Sequence, residues 1–149
     1  MTSRFVLPLV ALAALHCGGA NRIEADLTVA GEPVRVDDEA LCLEVLGRLS
    51  VGPVGQGYGV SVHLELEGTE APTTLPNRLS SRASVWVVHT SGSRSLSSST
   101  SSGTVVLDEL ALPRAHGTFD GMSGDLDDDE GMPQITVANG RFACEETLR

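Results

Sequence analysis

Apolar and polar residues alternate with a period of two along most of this chain, and a helical period of 3.6 is almost missing, so the pattern predicts strands. In the stretch 22–29, Ile23, Ala25, Leu27 and Val29 alternate with Glu24, Asp26 and Thr28, the signature of a strand with one face buried and one in water. Ala30-Gly31-Glu32 predicts a turn, 33–36 a returning strand, and 40–49 a third apolar stretch, which contains Cys42. VGPVGQGYG predicts a loop, because Gly and Pro suppress regular structure. The cleanest alternation follows it, with Val60, Val62, Leu64 and Leu66 facing in and Ser61, His63, Glu65 and Glu67 facing out.

The second half continues in the same way. TEAPTTLPNRLSSR predicts a long Pro-punctuated connection, and SVWVVHT a strand whose Trp86 is expected in the core. SGSRSLSSSTSSG has eight serines in thirteen residues and too little apolar surface to pack, which predicts an exposed loop or a frayed hairpin tip. TVVLDELAL, a short GTFDG and PQITVANGRFACEE complete the strands, with Asn139-Gly140 expected to form a bulge in preference to a tight turn. The expected fold is all-β: a single antiparallel β-sandwich or open barrel of about seven to nine strands.

The first twenty residues break this pattern. Arg4 precedes an apolar run over 5–15, then Cys17 and small residues, the three-part order of an export signal. The run is interrupted by Pro8 and is shorter than the roughly 20 apolar residues a membrane-spanning helix needs. Two processing routes are open. Gly18 and Ala20 suit an ordinary signal peptidase, which would leave Asn21 as the N-terminus; alternatively Cys17 is lipidated and becomes the first mature residue, although Ala14 and His16 depart from the usual lipoprotein signal. The expected organisation is a signal segment over 1–20 and one β domain over 21–149. Outside the signal the cysteines are Cys42 and Cys144, an even pair expected to form a disulfide in an exported protein.

Composition narrows the partners. Acidic residues number 20 against ten basic ones, all arginine, and the net charge of −10 disfavours nucleic acid and anionic lipid surfaces. DGMSGDLDDDEG is the most chemical-looking stretch, since clustered carboxylates on a Gly-bearing loop suit Ca²⁺. Asp120, Asp125, Asp127 and Asp129 are therefore candidate calcium ligands. Glu130 and Thr136 stand where an EF-hand needs Gly and Glu, so the loop is no EF-hand, and the alternative is a solvated acidic hairpin loop. His63, His89 and His116 lack the spacing of a zinc motif, and Ser123 in GMSG lacks a nucleophile elbow. No residue is assigned a catalytic role and no cofactor besides calcium is implied.

The C-terminal third, GTVVLDEL, GTFDG and ITVANGRF, resembles small uncharacterised bacterial lipoproteins of myxobacterial and Bacteroidetes type, whose domains end in a G-x-F strand followed by a V-x-N-G-x-F strand. The resemblance implies a β-sandwich or open barrel in the cell envelope and carries no activity or functional residues. The expected role is a non-catalytic interaction or structural module, lipid-anchored or secreted, monomeric, with an envelope or extracellular protein as partner. The alternatives are a β-barrel holding a small hydrophobic ligand and a calcium-binding β domain.

Overall fold

The computed structural model describes residues 21–122 and 133–149, and these form an all-β structure in which one antiparallel sheet holds ten strands. In chain order they are β1 (Arg22–Val29), β2 (Glu32–Val45), β3 (Arg48–Pro53), β4 (Gly57–Glu65), β5 (Thr73–Pro76), β6 (Ala83–Ser91), β7 (Arg94–Ser99), β8 (Thr104–Ala111), β9 (Arg114–Met122) and β10 (Ile135–Cys144). Their order across the sheet is β5-β8-β9-β10-β1-β2-β3-β4-β6-β7, and the sheet curls into a half-barrel. The bend sits in β2, which is long enough to serve both halves. Residues 32–39 pair with β1, whereas 40–45 outrun it and pair with β3. A strand that changes neighbours part-way along is a standard way of turning a sheet's corner.

Alternation decides what fills the inside of the curl. Ile23, Leu27, Val36, Leu49, Val51, Val62, Leu64, Val85, Leu107, Ile135 and Val137 are all buried and pack as one core. The turns that join β1 to β2 and β2 to β3 are two-residue reversals at Ala30-Gly31 and Leu46-Gly47, all with positive φ. That backbone hand matches the twist of the strands they connect.

Several expectations change. The count is ten strands because two segments expected as connections are strands: β5 lies inside the Pro-punctuated stretch, and β7 is the serine tract. β7 pairs with β6 from Trp86↔Ser99 to Ser91↔Arg94, and main-chain pairing of this kind needs no apolar side chains. The separate segments 33–36 and 40–49 belong to the continuous β2 and the start of β3, and GTFDG is the centre of a nine-residue β9. Trp86 is not in the core. Ala83, Val85 and Val87 take the inward positions of β6, so the period of two places Trp86 on the outer face.

The bulge at Asn139-Gly140 is present, with Asn139 at φ 51° and a register shift between Val137 and Gly140. It brings Gly140 opposite Phe119, while Phe142 lies opposite Gly117. A Cβ at Gly140 would stand 2.4 Å from the Phe119 ring, and one at Gly117 would stand 2.9 Å from the Phe142 ring. Each phenylalanine therefore covers the bare backbone of the glycine across from it, which gives G-x-F and N-G-x-F a physical reason.

The curl is fastened at both ends. At one, Asn77, fully buried just after β5, accepts from Val85 N at 2.8 Å, and its Nδ2 lies 2.5 Å from Thr100 Oγ1 and 2.9 Å from the Asp120 carbonyl. At the other, Cys42 and Cys144 form the expected disulfide, with Cα atoms 6.0 Å apart, where β2 and β10 meet beyond the start of β1. The C-terminal tail fills the lane that β1 vacates, pairing Leu148 with Leu43. Asn21 Oδ1 accepts from Glu145 N at 2.8 Å and Glu146 N at 3.0 Å, which seats the tail against the first strand.

Candidate functional site

A cleft lies on the outer face of β3, β4 and β6, where residues far apart in sequence become neighbours through strand register. Ser50 pairs with His63, Arg48 with Glu65, His63 with Ser84 and Ser61 with Trp86. One side is walled by the connection between β5 and β6, which contributes Leu79, Ser80, Ser81 and Arg82. The cleft has a volume of about 450 Å³, within the range of small-molecule sites.

The wall is held by its own polar groups. Ser81 Oγ lies 2.7 Å from the carbonyls of both Arg78 and Ala83, and Arg82 Nη1 donates to the Gly68 carbonyl. Leu79 is 61% exposed and gives the rim an apolar side. On the floor, Trp86 Nε1 donates to Ser84 Oγ at 3.1 Å, which satisfies the indole's only polar group. The His63 ring meets it edge-on, with centroids 6.3 Å apart and an interplanar angle of 88°.

His63 is the chemically distinctive member. Ser50 Oγ lies 3.0 Å from Nδ1 and Ser61 Oγ lies 3.2 Å from Nε2, so a hydroxyl meets each ring nitrogen. Burial, and secondarily the positive charge of Arg48, hold its pKa below the ordinary histidine range. A serine at hydrogen-bond distance from an imidazole is one element of a nucleophile-base pair. Here a hydroxyl, Ser61 Oγ, occupies the place where a triad has its carboxylate. The ring is arranged for hydrogen bonding through both nitrogens.

The cleft also carries positive charge, although Arg78, Arg94 and Arg141 elsewhere likewise have no carboxylate partner among the described residues. Among the described residues Arg22, Arg35, Arg114 and Arg149 each have a carboxylate partner, whereas Arg48 and Arg82 have none. Two arginines thus face one concavity in a chain of net charge −10.

A second cleft, of about 400 Å³, lies over β1, β8, β9 and β10 and is lined by Arg22, Glu24, Asp108, His116 and Arg141. His116 Nε2 lies 2.8 Å from Glu145 Oε1, Nδ1 lies 3.5 Å from Glu109 Oε2, and Arg114 pairs with Glu109 at 2.7 Å. These contacts join the tail to the β8–β9 hairpin. Among the described residues no group of three or more His, Cys, Asp or Glu side chains is placed to hold a metal ion.

Of the residues singled out in the sequence, Cys42 and Cys144 come together. Asp120 accepts from Thr104 N at 2.7 Å through Oδ1, so its carboxylate braces the start of β8. Asp125, Asp127 and Asp129, like Cys17 and the signal segment, lie outside the described residues. The cleft around His63 and Trp86 was not anticipated. Its one sequence signal is the parity of Trp86, which shares a face with polar Ser84 once Val85 and Val87 are assigned to the core. Comparison of the chain with protein-family models, with curated proteins and with solved structures finds no match.

Proposed function

We propose that this protein is exported and acts without catalysis, as a binding or structural β domain of a bacterial cell envelope, either lipid-anchored through Cys17 or secreted after cleavage following Ala20. The observation that carries this reading is the Cys42–Cys144 disulfide, because such bonds persist in oxidising compartments and are rare in the cytosol. The apolar run over 5–15, the lipoprotein-like ending of the chain and its acidic charge support the same assignment. The His63–Trp86 cleft is the surface through which binding would occur. Three residues separate Cys17 from Asn21, so the four steps of chain between them reach about 14 Å at full extension. A lipid on Cys17 would therefore keep the start of β1 and the C-terminal tail close to the membrane.

Intact mass, measured without reduction on protein recovered from the host's envelope and medium, tests the proposal. A chain over 17–149 carrying acyl groups identifies a lipoprotein, and an unmodified chain over 21–149 identifies a secreted protein. Recovery from the cytosol as the full chain, with both thiols free, would remove the basis for the reading.

A further inference from the structure

The geometry points to the His63–Trp86 cleft as a binding site for a ring-bearing monocarboxylate, a six-membered ring, sugar or aromatic, that carries one negative charge. This inference rests on the reading of the chain as a binding domain and names the ligand class of the same cleft. Four observations select that chemistry. Trp86 lines the cleft with its N–H already satisfied by Ser84 and His63 set at right angles to it, so the part of the indole left to a ligand is aromatic surface, which suits a ring. Arg48 and Arg82 line the cleft without carboxylate partners; Arg82 spends Nη1 on the Gly68 carbonyl and keeps its other N–H groups, and guanidinium groups match a carboxylate in shape and charge. Glu65 on the same floor offsets one of the two positive charges, which leaves the cleft suited to a monoanion and poorly suited to a phosphate dianion. Ser80 and Ser84 line the cleft with hydroxyls, which suit a polar ring edge. The pinning of Ser81 and Arg82 holds the wall in place before a ligand arrives, which lowers the ordering cost of binding.

Trp86 is the chain's only tryptophan, so its emission reports directly on the cleft. The exported protein, as purified, is titrated with glucuronate and benzoate, with glucose and benzyl alcohol as neutral counterparts and phenyl phosphate as the dianion. At least one of the two carboxylates is expected to give a saturable change, at least about tenfold tighter than its neutral counterpart, since hydrogen bonds to charged groups contribute that much. Which carboxylate binds identifies the ligand as sugar acid or aromatic acid. The double variant Arg48→Ala/Arg82→Ala is expected to lose that same factor of about tenfold, weakening with salt as exposed charge pairs do. Arg141→Ala, which removes another arginine without a carboxylate partner, leaves binding unchanged. Circular dichroism checks that each variant is folded. Equal affinity for the neutral compounds, tighter binding of phenyl phosphate, unchanged binding by the double variant, or no saturable response to either carboxylate would overturn the assignment. The mass of the exported chain stands independently of all these outcomes, so failure of the ligand assignment is distinguishable from failure of the export reading.

Discussion

His63 shows how one side chain ties stability to pH. Its pKa is held below the ordinary value of 6.5, first by burial and then by the charge of Arg48, so the unfolded chain takes up the proton more readily than the folded one. The neutral ring's contribution to stability is therefore fully present above about pH 6.5 and declines as the pH falls through the folded pKa. Asp26 shifts in the same direction, lowered by its hydrogen bonds from Asn139 and Arg35, but from 3.8, so its contribution is lost in a separate and more acidic window. Urea midpoints measured between pH 7.5 and 5.5 are expected to fall for the parent protein and to stay flatter for His63→Gln. Equal slopes for the two proteins would show that another group carries the dependence.

Strand pairing is the level at which the sequence was most and least informative. β1 was legible because it has one wet face and one dry face; β4 alternates as clearly in sequence, but its expected outward face is covered, with Ser61 buried and His63 partly so. β7 was not legible, because a serine strand joins the sheet through its main chain and leaves no apolar trace. The cleft was illegible for a related reason. Arg48, His63, Arg82 and Trp86 meet only through the register of β3, β4 and β6 and the path of one connection, which no local pattern encodes. The glycine-phenylalanine motif was visible as a pattern, and the structure supplies its cause. Because Phe119 covers Gly140, the substitution Gly140→Ala is expected to destabilise by about 1–3 kcal/mol, the usual cost of overpacking. Gly52 has only an ordinary contact of 3.5 Å to Ser61 Cβ at the same hypothetical position, and its φ is not positive. Gly52→Ala should be neutral or stabilising by up to about 1 kcal/mol through a less flexible unfolded chain. Chemical denaturation of the two variants side by side checks the contrast. A similar loss in both would mean that the phenylalanine cover is not what makes Gly140 necessary.

For the whole molecule, the question is what keeps a ten-stranded sheet curled when its edge strands, β5 and β7, do not pair with each other. The two fastenings lie at opposite ends of β9: the Asn77 network reaches the Asp120 carbonyl, and the disulfide lies beside Ala115, the strand partner of Cys144. They act by different physics. Asn77 satisfies buried polar groups in the folded state, whereas the disulfide closes a sequence separation of 102 residues and restricts the unfolded chain. Replacing both cysteines by alanine is expected to cost about 3–5 kcal/mol, within the range for a native bridge of this span. The loss should also be uneven. Beyond the start of β1, among the described residues, Asn21, the Leu148 pairing and the tail contacts remain to hold β10 against β2. Hydrogen exchange in the Cys42→Ala/Cys144→Ala variant should therefore accelerate first in the tail and in residues 40–45, while Val85 and the amides around Asn77 keep their protection. Uniform acceleration along the chain would indicate that the two fastenings form one cooperative unit.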